Sequence, residues 1–201
     1  MNRVILPFLC VLLVSCGQKK PIKISEAESK DIKKSNTHDP KEKHLQNIKQ
    51  LTFGGDNAEA YFSFDDTRLV FQLKNPDIGI DCDQIYVTDW ENDNMEKKLP
   101  PMVSTGLGRT TCSYFMPGDT TVIYASTHLG DDNCPKEPEK REDGAYVWPI
   151  YSDFDIFVAD LKGNIIKQLT DAPGYDAEAT ISPQGDKIVF TSDRTGDLEL
   201  Y

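Results

Sequence analysis

Ile48-Lys49-Gln50-Leu51-Thr52 recurs letter for letter at Ile166-Lys167-Gln168-Leu169-Thr170. Ala58-Glu59-Ala60 then answers Ala177-Glu178-Ala179, and Phe62-Ser63-Phe64-Asp65-Asp66-Thr67-Arg68-Leu69-Val70-Phe71 answers Ile181-Ser182-Pro183-Gln184-Gly185-Asp186-Lys187-Ile188-Val189-Phe190. A weaker copy lies between them: Leu99-Pro100 stands where Leu-Thr stands elsewhere, and Ser113 to Tyr124 follows the same strand, turn, strand course. Self-similarity of this kind marks a repeat architecture, in which one unit does not bury its own apolar face and needs neighbours.

Asp65-Asp66, Pro117-Gly118-Asp119 and Pro183-Gln184-Gly185-Asp186 supply the residues of tight reversals, so each is expected at a hairpin tip. Leu69-Val70-Phe71, Val122-Ile123-Tyr124 and Ile188-Val189-Phe190 are β-branched and aromatic runs, expected as strands covered on both faces. Third strands are expected at Gln84 to Asp89, Asp155 to Asp160 and Glu199 to Tyr201, with the Lys-Gln-Leu-Thr segment as the fourth. Four antiparallel strands per unit is the plan of a propeller blade. The fold class expected is all-β, a partial β-propeller of about two and a half blades over 47–201, with further blades expected after Tyr201 because so few do not close a ring.

The segment Ile181 to Arg194, with its Ser-Pro-Gln-Gly-Asp hairpin, Ile-Val-Phe strand and Ser-Asp-Arg turn, resembles the TolB-type β-propellers. The likeness covers roughly residues 46–201. The first copy departs from the pattern at Phe64-Asp65-Asp66, and the second carries a long insertion from about Thr127 to Asp153. The resemblance implies a propeller, and in TolB itself a soluble component that docks with envelope proteins. A fold of this kind hosts different functions, so function has to come from the site.

Asn2-Arg3 is followed by an apolar stretch from Val4 to Val14, too short to span a bilayer, which needs about twenty residues. Leu13-Val14-Ser15-Cys16 resembles the lipobox of bacterial lipoproteins, which implies a signal peptide over 1–15 and a lipid on Cys16. Residues 16–46 are rich in Lys and acids, with scattered Ser, Pro and Asn, and poor in large apolar side chains, as expected of a disordered tether. The expected location is extracytoplasmic, on the outer membrane facing the periplasm.

The formal net charge is −11, and since the leader and tether are basic, residues 48–201 carry about −15. That surface repels phosphate backbones, so nucleic acid is not an expected partner. Cys82, Cys112 and Cys134 remain in the propeller region, and at most one disulfide forms among them. They include no Cys-x-x-Cys pair, so no metal is expected there. Asp77, Asp81 and Asp83 loosely resemble a calcium loop but lack its spacing and glycine, so Ca2+ is a weak expectation and no cofactor is assigned.

Strand alternation puts the loop entering the first strand and the loop joining the second to the third at one end of a blade. Glu59, Cys112 and Glu178 start the innermost strands; Cys82, His128, Asp131 and Cys134 fall in second-to-third loops. The candidate binding face at the channel mouth is therefore Glu59, Glu178, His128, Asp131, Tyr146, Trp148 and Tyr151. The repeated glutamates either hold a basic group or hydrogen-bond neighbouring backbone. The chain has no G-x-S-x-G elbow, and His128 has no recognisable nucleophile and acid beside it, so no catalytic residue is assigned. The expected function is a non-enzymatic scaffold binding envelope proteins or peptides. The alternatives are the propeller of a prolyl oligopeptidase-like peptidase and a carbohydrate-binding surface protein.

Overall fold

The computed structural model describes residues 39–139, 141–145 and 147–201. The signal peptide over 1–15, Cys16 with the first part of the tether, and Tyr146 lie outside the described residues.

Among the described residues, ten strands form three antiparallel sheets, one per blade. The first holds β1 (Asp56–Phe62), β2 (Arg68–Asn75) and β3 (Ile80–Asp89). The second holds β4 (Thr110–Phe115), β5 (Thr121–Ser126), β6 (Asp155–Asp160) and β7 (Ile165–Gln168). The third holds β8 (Asp176–Ile181), β9 (Ile188–Ser192) and β10 (Glu199–Leu200). This is a partial propeller: the innermost strand of the middle blade, β4, contacts both β1 and β8.

The register proves the repeat residue by residue. Phe62 pairs with Leu69, Phe115 with Val122, and Ile181 with Ile188. Each hairpin tip closes through the same backbone bond, donated by Asp66 to Ser63, Asp119 to Met116 and Gly185 to Ser182. These three donors adopt φ of 58°, 55° and 74°. Aspartate tolerates that left-handed conformation well enough to stand in for the glycine, so the first copy's departure at Asp65-Asp66 leaves the turn intact.

Two apolar layers lie between the blades. Val70, Ile85, Val87 and Val103 of the first meet Phe115, Val122, Tyr124 and Phe157 of the second. Ile123, Ala125, Phe154 and Ile156 of the second meet Tyr175, Ala177 and Ala179 of the third. Fully burying one such aliphatic or aromatic side chain contributes about 1.5–3 kcal/mol, so the core is the boundary between blades. The expectation of strands covered on both faces holds for β2 and β5 but not for β9, where Val189 is 41 % exposed.

Three expectations need correction. The fourth strand of the first blade is not at Leu99-Pro100: a single bridge joins Tyr86 to Met102, and Val103 donates to Ile85 O as Leu169 donates to Ile156 O. The Ser104 hydroxyl then accepts from Ile85 N as the Thr170 hydroxyl accepts from Ile156 N, so Met102-Val103-Ser104 is the true counterpart of Gln168-Leu169-Thr170. The first copy of the pentapeptide, Ile48 to Thr52, forms no strand, because no described strand runs beside it to complete a ladder. Finally, Cys82 lies within β3 rather than in the loop before it, because that strand begins at Ile80.

Candidate functional site

Each innermost strand carries the same irregularity. The register slips between Ala58 and Tyr61, between Thr111 and Tyr114, and between Ala177 and Thr180. At the slip stand Glu59, Cys112 and Glu178, with φ of 52°, 44° and 58°. A non-glycine residue held in the left-handed region costs about 1–3 kcal/mol, and three equivalent instances make this bulge a built feature of the fold.

Around the bulges runs a band of acids and phenols. The Tyr61 hydroxyl donates to Glu59 Oε2 at 2.5 Å, and its ring stacks on Tyr114 with centroids 4.0 Å apart. The hydrogen bond to Glu59, then one with Tyr114, hold the Tyr61 phenol far above its ordinary range. In the third blade, Glu178 Oε2 accepts from the Thr191 hydroxyl at 2.9 Å and is also hydrogen-bonded by the Tyr175 hydroxyl. The Trp148 indole is hydrogen-bonded to that same phenol, whose pKa is raised chiefly by burial. Cys112 lies on β4, the strand between those of the two glutamates, and its thiol is pushed up to about 11 by burial first and then by Glu59 and Glu178. Carboxylates from the outer two blades thus both act on the central thiol.

The other candidates sit apart from this band. Tyr151 lies 5.5 Å from the Arg109 guanidinium and donates to Lys136 O at 3.3 Å. Arg109 gathers Asp83, at 3.6 Å, and Glu137, while Lys74 reaches Glu137 at 3.7 Å. Burial raises the Asp83 carboxyl above its usual range despite Arg109, whereas the Arg109 hydrogen bond lowers that of Glu137. His128 tilts against Phe157, with centroids 4.6 Å apart and Nδ1 2.9 Å from Ser126 Oγ; burial lowers its pKa. Asp131 is exposed and closes its own turn by accepting from Asn133 N and Nδ2.

Cys82 and Cys134 form the disulfide and leave Cys112 free. The bond ties the insertion of the second blade to β3 of the first. Among the described residues no three His, Cys, Asp or Glu side chains form a group able to hold a metal ion, and Asp83 of the loose calcium-like loop faces Arg109 instead. No described helix is long and apolar enough to cross a membrane.

Sequence reasoning missed Tyr61, Tyr114, Tyr175 and Thr191. Tyr61 and Tyr114 hold one repeat position, two residues after the bulge, so aligning the first copy with the second marks that pair.

No family model matches the chain. Among solved structures it is similar to the structure of putative TolB from Agrobacterium tumefaciens, at 19 % identity and a TM-score of 0.45 over 71 % of this chain. The match covers 40 % of that structure's chain.

Proposed function

We propose that this chain is a lipid-anchored, extracytoplasmic, non-enzymatic β-propeller scaffold that binds basic segments of envelope proteins or peptides across its bulge face. The observation that carries the reading is that Glu59 and Glu178 stand at the same bulge position of β1 and β8, the strands on either side of β4. Both glutamates are exposed, and the Tyr61 and Thr191 hydroxyls that donate to them hold them in place, so a lysine or arginine entering between them meets prearranged carboxylates. Trp148, 57 % exposed and hydrogen-bonded to Tyr175, adds an aromatic wall of the kind that anchors peptide side chains.

The location rests on the Leu13-Val14-Ser15-Cys16 pattern and on the Cys82–Cys134 disulfide, a bond that persists in oxidising compartments. The exposure of Trp148 equally suits stacking on a sugar ring, which keeps a carbohydrate-binding role as a second reading.

Calorimetric titration of the full chain with a short Arg/Lys-rich peptide tests the binding role. Saturable binding is expected, weakened at least about tenfold when Glu59→Gln and Glu178→Gln are combined. Binding untouched by that double change would remove the glutamates from the role. Labelling with a radioactive fatty acid tests the anchor, with the label lost on Cys16→Ala.

A further inference from the structure

At the seam between the first and second blades, β1 and β4 bring two tyrosine rings together. Tyr61 and Tyr114 hold one repeat position, and their rings stack with centroids 4.0 Å apart and planes 28° from parallel. The two phenol groups are hydrogen-bonded to each other, which sets the ring carbons beside their oxygens against one another. The Tyr61 hydroxyl also donates to Glu59 Oε2 at 2.5 Å, so its proton has an acceptor already in place. Both rings are half-buried and therefore open to a small oxidant. The fold does not require tyrosine here, because the third blade carries Thr180 at the equivalent position. Among the described residues no other two tyrosine rings are in contact.

We propose that Tyr61 and Tyr114 form an oxidative cross-linking site, at which a peroxide acting through a one-electron oxidant joins the two rings and welds the first blade to the second. Each phenol gives up one electron and one proton, the Tyr61 proton passing to Glu59 Oε2 and the Tyr114 proton to solvent. The two phenoxyl radicals then form one Cε–Cε bond, and the hydrogens displaced from the joined carbons move to the oxygens, which restores both phenols. The two electrons and two protons released convert one hydrogen peroxide into two waters. Glu59 matters because a phenol loses an electron far more readily when its proton leaves with it. Contact matters because rings already stacked couple without a diffusional search. The new bond ties β1 to β4, whereas Cys82–Cys134 ties β3 to the insertion, so the two blades become linked through separate strands.

Treating the dilute full chain with hydrogen peroxide and a haem peroxidase tests the proposal. The expected product fluoresces as dityrosine, is lighter than the starting chain by two hydrogen atoms, and on proteolytic mapping joins the peptide of Tyr61 to that of Tyr114. Tyr61→Phe and Tyr114→Phe should each abolish that product with an unchanged circular dichroism spectrum, and mapping of the unmodified chain decides the matter even if a variant fails to fold. Glu59→Gln keeps a hydrogen-bonding side chain but accepts no proton, and should slow coupling at least about tenfold. Oxidation of the chain unfolded in urea should lose the preference for this pair. A folded chain that forms no dityrosine, couples other tyrosines, joins only separate molecules, or oxidises Cys112 in place of the bond overturns the site. Coupling at an unchanged rate in Glu59→Gln overturns the part given to Glu59.

Discussion

The Asp119 carboxylate of the second blade reaches the hairpin tip of the first and accepts from Phe64 N at 2.8 Å and Asp65 N at 3.1 Å. The Asp119 carbonyl accepts from Arg68 at 2.9 Å, so one buried residue holds neighbouring tips in register through three bonds. Replacing it by alanine leaves two amides without partners, and Asp119→Ala should cost about 1–3 kcal/mol. Asp119→Asn keeps one acceptor oxygen and should recover part of that loss, as read from urea unfolding midpoints.

The next pair of tips meets differently. A Cβ on Gly185 would stand 2.3 Å from Pro117 Cγ, and Gly185 has φ of 74°. Gly118, with φ of 88°, has nothing within 4 Å of where its Cβ would be. Gly118→Ala should therefore cost about 1 kcal/mol of backbone strain alone, and Gly185→Ala distinctly more in the same thermal unfolding assay. Equal losses would mean that the Pro117 contact relaxes freely.

Because the Cys112 thiol is pushed up to about 11, it stays protonated at pH 8. Alkylation there should run about a hundredfold slower than for an unperturbed cysteine, rise about tenfold with each pH unit, and level off only near pH 11. Glu59→Gln with Glu178→Gln removes two of the causes and should shift that plateau to lower pH. A pH–rate profile followed by intact-mass measurement decides it.

Arg109 offsets the burial of Asp83 and pairs with Glu137, and Arg109→Met should lower stability by about 1–3 kcal/mol at pH 7. The Asp83 carboxyl is raised in the folded protein, so its burial penalty is present above the folded pKa and is relieved as pH falls through it. Glu137 is lowered, so its stabilising contribution is present above its unfolded pKa and is lost on acidification. Both signs predict that the gap between Arg109→Met and wild type narrows from pH 7 to pH 4 in urea midpoints.

The Cys82–Cys134 bond closes a loop with a sequence separation of 52, for which chain entropy gives about 4 kcal/mol of stabilisation. Reduction should lower the unfolding midpoint and speed hydrogen exchange in the insertion between β5 and β6. Protection there that ignores a reductant would show that Arg109 and Tyr151 suffice to hold the loop.

The strand, turn, strand units could be read from letters because apolar runs such as Leu69-Val70-Phe71 and turn residues such as Gly185 are dictated locally. Met102-Val103-Ser104 could not, because its place depends on two hydrogen bonds to Ile85 rather than on a pattern of residue types. Likewise the choice of Cys134 over Cys112 as partner of Cys82 depends on the path of a long insertion, which local preference does not set. Of the candidate face, Glu59 and Glu178 were visible as repeated residues. Tyr175 was not, since it precedes the repeated Ala-Glu-Ala and gains its role from a hydroxyl that meets Glu178 and Trp148.

That disulfide also has a mechanical meaning. A protein pulled at its N-terminus by a membrane while its far end holds a partner feels tension along the backbone, and a covalent tie between Cys82 and Cys134 takes that load itself. The residues it encloses, including β4, β5 and the central bulge at Cys112, are shielded from unravelling under force. Stretching the oxidised chain should fall short of the reduced one by about 18 nm of contour length, the reach of the enclosed segment.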